Sequence, residues 1–280
     1  MTHYDDAMKS ATSSPIKAVF FDIDGTLTSF ATHSIPQSTI HALKKLKELG
    51  IKIFICSGRG PSYMDVILDM MPVEFDGFVG TNGQYCFDNH GFLERQYMDR
   101  EDVGIIVDWL AKHPEIPANF VEEDRAYFNF INDILRNAWK SLGGTAPKVL
   151  VDGNRAQHAT DHDMLQISAY VNDEQQKEII SLCHNVSGVR WHPSFVDLIP
   201  ADGGKPAGMQ RFMKHYGFDQ SQVMAFGDGG NDITMLQFAG IGVAMGNATD
   251  DVKSAADWVT DSVDDDGVMN ALVHFGVISQ

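Results

Sequence analysis

Asp22 and Asp24 stand two residues apart, just after the unbroken apolar run that follows Lys17, Ala18-Val19-Phe20-Phe21, and just before Gly25-Thr26. On an extended chain, residues two apart point the same way, so both carboxylates can reach one small volume. Adjacent anions repel, which favours either a bound cation or a proton shared on one of them. The grouping recurs far along the chain, where the run Gln222 to Phe226 ends in Gly227-Asp228-Gly229-Gly230-Asn231-Asp232, two further carboxylates beside an amide. Between the two, Ile51 to Cys56 leads into Ser57-Gly58-Arg59-Gly60. There a hydroxyl and backbone N–H groups ahead of a helix can hold an anion. Lys205 follows Gly203-Gly204 at the first turn of a helix expected to reach about Tyr216. A cation is unfavourable at the positive end of a helix dipole, so something negative is expected beside it.

The elements that must position these groups are buried strands. Unbroken apolar runs rich in Val, Ile and Phe read as strands covered on both faces, and open α/β sheets bind ligands beyond the carboxyl ends of such strands. Strands alternating with helical patterns at both ends of the chain give a parallel, doubly wound sheet. Gln37 to Leu49 supplies one of its helices, with Ile40, Leu43, Leu46 and Leu49 as the packing stripe and Gly50 at its end. From Ser57 to Lys205 the chain runs for roughly 150 residues, far more than a plain crossover needs. That interval reads first as a hairpin, Gln84 to Phe87 with Phe92 to Arg95, about the turn Asp88-Asn89-His90-Gly91. A helix from about Asp99 to Lys112 follows, then strands near Asn119 to Glu123, Tyr127 to Phe130 and Met164 to Val171. A helix at Asp173 to His184 and strands at Val189 to Trp191 and Phe195 to Ile199 complete it. The expected organisation is an α/β core over 1–88 and 194–280, with an inserted α+β domain over 89–193.

Together these segments resemble the haloacid dehalogenase-like hydrolase superfamily, and within it the Cof-type, sugar-phosphatase-like group with a large cap. Asp22-Ile23-Asp24-Gly25-Thr26 matches the first motif, Ser57 the second, Lys205 the third and Gly227-Asp228-Gly229-Gly230-Asn231-Asp232 the fourth. Thr81-Asn82-Gly83 looks like the group's usual ending of another core strand. The resemblance covers nearly the whole chain apart from its first residues. It implies a Rossmann-like core and a cap that closes over the site and selects the substrate, a small phosphomonoester. Asp22 would attack phosphorus and form an aspartyl-phosphate, while Asp24 protonates the leaving group and then deprotonates water. Ser57, Gly58, Lys205 and Asn231 would hold the phosphoryl oxygens. Asp22, the backbone carbonyl of Asp24 and Asp228 would ligate the metal, with Asp232 orienting that shell. Four carboxylates against one Lys would repel a phosphate, and a divalent cation resolves this; hard oxygen ligands select Mg²⁺. Sugar phosphates, flavin mononucleotide and pyridoxal phosphate all fall within the resemblance. A phosphotransferase or mutase could use the same residues, as could a non-enzymatic phospho-receiver, although Asp24 and the large insert argue against the receiver.

The formal net charge of −17 excludes the usual electrostatics of nucleic-acid binding. Cys56, Cys86 and Cys183 are odd in number and far apart, which fits a reducing compartment, and Cys56 reads as a small core residue. No apolar run approaches a membrane span and the N-terminus lacks a secretory signal's hydrophobic region, so a soluble, cytoplasmic protein is expected. His158 and His162 are spaced like a zinc-binding pair, but the polar stretch around them reads as an exposed loop. Asp264-Asp265-Asp266-Gly267 is acidic enough for calcium, yet it precedes the apolar Val268 to Phe275 and reads as a helix N-cap.

Overall fold

A computed structural model describes residues 15–64, 68–142 and 150–279. In chain order, a larger sheet takes β1 (Ala18–Phe21), β2 (Lys52–Cys56), β3 (Gly77–Gly80), β4 (Tyr85–Phe87) and β5 (Leu93–Arg95). A smaller sheet takes β6 (Ala118–Val121), β7 (Ala126–Phe128), β8 (Gln166–Ala169), β9 (Val186–His192) and β10 (Phe195–Pro200). The chain then rejoins the larger sheet with β11 (Val223–Gly227), β12 (Ile241–Ala244) and β13 (Trp258–Val259). The helices are α1 (Gln37–Glu48), α2 (Arg100–Lys112), α3 (Asp133–Leu142), α4 (Gly153–Gln157), α5 (Asp173–Leu182), α6 (Lys205–Tyr216), α7 (Ile233–Phe238), α8 (Asp250–Ala255) and α9 (Gly267–His274).

The alternation of β1 explains the double winding. Val19 and Phe21 share a buried cluster with Ala42, Leu43 and Leu46 of α1 and with Val268, Ala271 and Leu272 of α9. Ala18 and Phe20 share another with Met209 and Phe212 of α6 and Leu236 of α7. Successive strand side chains point to opposite faces, so a wholly apolar strand needs helices on both sides of its sheet. The larger sheet runs β13-β12-β11-β1-β2-β3-β4-β5, parallel from β13 to β3 and antiparallel at its last two pairs. The smaller, β7-β6-β8-β10-β9, is antiparallel throughout.

Position 89 falls in the turn between β4 and β5, and position 193 in the turn between β9 and β10. The arms of a hairpin stay in one sheet, so the chain leaves the larger sheet after β5 and returns toward it after β10. It leaves and rejoins at one place, where Gln96 N donates to Gln84 O (2.8 Å) and Gln96 Nε2 donates to Asp202 Oδ1 (2.8 Å).

The stripe expected on α1 is also corrected. Leu49 is 60% exposed, whereas Thr39, Ala42, Leu43 and Leu46 are buried. Steps of three residues fall short of a full turn by about 60°, so three such steps carry Leu49 roughly half a turn away from Ile40. The stretch around His158, expected as a loop, forms α4 and a 3₁₀ turn, Ala159–Asp161. His158 Nδ1 lies 2.8 Å from Asn154 O and His162 Nδ1 lies 3.2 Å from Arg155 Nη2, so the two rings take separate partners. Asp266 occupies the N-cap of α9 with φ 64° but makes no side-chain capping bond. Helix α3 was not expected at all. No helix among the described residues is long and apolar enough to cross a membrane.

Candidate active site

Parallel strands deliver their loops to one edge. Asp22 N donates to Phe226 O (3.0 Å), so the acidic loops after β1 and β11 open side by side. Asp22, Asp228 and Asp232 present carboxylate oxygens within 4.8 Å of one another. Lys205, 1% exposed, enters from the first turn of α6 and donates to Asp22 Oδ1 (2.7 Å) and to Asp232 Oδ1. Asp232 Oδ2 accepts from the N–H groups of Asp228 (3.0 Å) and Gly229 (2.9 Å). One oxygen of Asp232 is thus engaged by the lysine and the other by the loop.

Asp228 is steered from two sides: Oδ1 accepts from the Thr26 hydroxyl and Oδ2 from Asn247 Nδ2, each at 3.1 Å. Asn247 also donates to Gly25 O (2.9 Å) and accepts from Val263 N (2.9 Å), which ties the two acidic loops together. Only glycine fits at position 25. Its φ is +87°, and a Cβ there would lie 2.1 Å from Asp228 Oδ2.

The electrostatics of the cluster are set by burial. Asp22 is pushed up to about 7, chiefly by desolvation and further by Asp232, against the pull of Lys205. Burial and the neighbouring Asp22 drive Asp228 well above the usual carboxylate range. Desolvation works against the charge of Lys205, but Asp22 and Asp232 together hold the ammonium well above its ordinary value. Three converging carboxylates with one ammonium fit a hard divalent cation, which is the charge the cluster lacks.

Asp24 has a partner that the sequence reading did not single out. Arg59 Nε donates to Asp24 Oδ2 and Nη2 to Oδ1, both at 3.0 Å, a two-pronged grip that fixes the carboxylate's direction. The available signal was Arg59 within Ser57-Gly58-Arg59-Gly60, read there only for its hydroxyl and backbone. Ser57 Oγ accepts from Arg59 N (3.2 Å), so its own proton is left to donate. Asp22, Asp24, Ser57, Gly58, Asp228 and Asn231 line a cleft, together with half-exposed Phe30. All the residues singled out from the sequence are thus brought together, with Lys205 beneath the floor.

A second chamber adjoins the cleft, with Gly58, Arg59 and Trp191 common to both. The insert contributes Asn119, Gln166, Ser168, Tyr170, Phe195 and Asp197 to its walls. Asp197 is 1% exposed, and burial pushes its carboxyl up to about 6. Cys56, beside Ser57, is fully buried with its thiol pushed well above the usual range by that burial, as suits a core residue.

A family model for haloacid dehalogenase-like hydrolases matches residues 19–272. The chain belongs to that family. YkrA, a putative phosphatase of Bacillus subtilis (strain 168), is 30% identical over 280 residues, spanning 94% of this chain and 98% of its own. Among solved structures, the subclass IIB sugar phosphatase BT4131 superposes with a TM-score of 0.85 at 36% identity, covering 94% of this chain and 100% of its own. BT1666 from Bacteroides thetaiotaomicron superposes with a TM-score of 0.83 at 36% identity, over 95% and 97%. The chain is an enzyme, a phosphoric monoester hydrolase.

Proposed function

We propose that this hydrolase is a Mg²⁺-dependent phosphatase that cleaves small phosphomonoesters such as sugar phosphates through an aspartyl-phosphate on Asp22. The observation that carries the reading is the junction of the carboxylate-lined cleft with a chamber lined by polar and aromatic side chains. Lys205 holds Asp22 Oδ1, which leaves Oδ2 for attack on phosphorus. The Ser57 hydroxyl, the Gly58 N–H and the Asn231 amide lie where they can hold phosphoryl oxygens, and the Lys205 ammonium supplies positive charge from below. Asp24 gives a proton to the departing oxygen and later takes one from the water that opens the aspartyl-phosphate, while Arg59 keeps the side chain aimed. Mg²⁺ held by Asp22, Asp228 and the Asp24 carbonyl would shield the repulsion between nucleophile and phosphate.

Polar Asn119, Gln166, Ser168 and Asp197 interleave with Tyr170, Trp191 and Phe195 in the chamber. That mixture suits a hydroxylated ring, whose hydroxyls meet the polar groups and whose apolar face lies on an aromatic wall. Among the described residues, Asp197 Oδ1 is buried without a hydrogen-bond partner, an acceptor that such a hydroxyl would satisfy. The similar BT4131 is a sugar phosphatase, which supports the same class here. A panel of phosphomonoesters assayed with Mg²⁺, with and without added polyol acceptors, tests the reading. Phosphate and alcohol should appear in equal amounts; transfer to the acceptor in place of release would favour the phosphotransferase.

The role of Asp24 can be isolated by leaving-group chemistry. Asp24→Asn should slow hydrolysis of an alkyl phosphate about 10²- to 10⁴-fold, the usual worth of general acid–base catalysis. With nitrophenyl phosphate, whose leaving group needs no proton, the loss should be smaller in the first step. Equal losses on both substrates would count against the acid role.

A further inference from the structure

Asn82, 1% exposed, is bonded to residues that line the cleft and residues that line the chamber. Its Oδ1 accepts from Asn231 Nδ2 (3.0 Å), and its Nδ2 donates to Asp197 Oδ2 (2.9 Å) and Gln166 Oε1 (3.0 Å). We propose that Asn82 is a positioning residue through which Asp197, in the insert, sets the direction of the phosphate-facing amide of Asn231, in the core. The proposal rests on the reading of Asn231 as a phosphate ligand.

The two ends of an amide are nearly alike in shape, so its direction is decided by what each end faces. An ionised carboxylate only accepts, and Trp191 Nε1 donates to the same oxygen of Asp197 (3.1 Å). The end of Asn82 facing Asp197 must therefore be its NH₂ group. Its carbonyl is then turned to Asn231 and can only accept, so Asn231 must answer with its own NH₂. One N–H is spent on Asn82, and the other remains to donate to a phosphoryl oxygen. Reversed, Asn231 would offer its carbonyl oxygen to an anion.

The backbone bears the cost of placing this side chain. Thr81, Asn82 and Gly83 take φ of 48°, 52° and 106° in succession, and the left-handed region is especially unfavourable for a β-branched residue such as Thr. Thr81 N donates to Arg59 O (2.8 Å) and Asn82 N to Ser57 O (2.9 Å), which pins the turn against the Ser57 loop. A Cβ on Gly83 would lie 2.1 Å from Gly204 O, so the turn also abuts the start of α6. Strain held in place from two sides presents one amide to three separate partners.

Acetyl phosphate tests the coupling, because its leaving group is too small to need Asp197. At pH 8, Asp197→Leu should lower kcat/KM for acetyl phosphate roughly tenfold, the worth of one misdirected hydrogen bond to an anion. Asn82→Gly, which keeps the left-handed backbone, should cost about as much, and the double variant no more than either alone. Asp197→Asn retains an oxygen for Asn82 and Trp191 and should restore acetyl phosphate turnover, while still failing to accept a sugar hydroxyl at the other position. Wild-type turnover by Asp197→Leu, losses that multiply in the double variant, or no rescue by Asp197→Asn would each overturn the coupling. Asn231→Ala separates the two claims. If it leaves acetyl phosphate turnover unchanged, the phosphate-ligand reading fails; if it alone is impaired, only the coupling fails. Should Asn82→Gly not fold, the Asp197 variants still decide.

Discussion

Asp22→Asn should abolish turnover, by on the order of 10⁴- to 10⁶-fold, the scale seen when a nucleophile that works as part of a unit is removed. The amide preserves shape but cannot attack phosphorus and offers a cation only an uncharged oxygen, while Lys205 keeps Asp232 as its partner. The fold should persist, and its response to pH should change in a defined direction. Asp22 is raised from 3.8 to about 7 in the folded state, so the folded protein binds the extra proton. The associated stability is complete below about 3.8 and is lost as pH rises through about 7. Lys205, itself raised, remains charged across that whole window. Metal-free protein should therefore lose thermal stability between pH 4 and 7 on account of Asp22, and Asp22→Asn should flatten that slope. Single-turnover phosphate release and melting in chelator measure the two effects. Wild-type-like hydrolysis by the variant would sink the nucleophile assignment.

Chelation should silence the wild-type enzyme, and Mg²⁺ should restore it. Once Asp22 ionises above about pH 7, the carboxylates outnumber the one ammonium, and the metal-free cleft repels an incoming phosphate. Calorimetric phosphate binding should consequently appear only after Mg²⁺ is added. Ca²⁺, larger and looser in geometry, should bind yet support turnover poorly. Full activity in excess chelator, with metal analysis showing an empty site, would overturn the metal requirement.

Much of this was legible because strand ends advertise themselves. The apolar runs before Asp22, Ser57 and Asp228 mark parallel strands, and parallel strands must open their loops on one edge, so residues distant in sequence could be placed together. What escaped was decided by partners rather than by local pattern. Nothing in Ser57-Gly58-Arg59-Gly60 says that Arg59 turns to Asp24. Thr81-Asn82-Gly83 read as a strand ending because the partners of Asn82 lie at 166, 197 and 231. Asn247, which steers Asp228, sits in a loop without chemistry of its own. Helix α3 was missed although Leu135 and Ala138 lie buried on one side, because its burial is against Phe128, Tyr170 and Phe195 of the insert.

The contact between Gln96 and Asp202 also bears on how the chain assembles. The nucleophile loop and the Lys205 helix are separated in sequence by the whole insert, and bringing the ends of a disordered segment of roughly a hundred residues together costs about 4 kcal/mol in chain entropy. A segment that has already folded with its ends side by side behaves as a connection of a few residues, for which the same expression gives about 1.5 kcal/mol. An early-forming insert would thus shorten the effective contact order of the core, and the two halves of the catalytic edge would meet as near neighbours along the folding route.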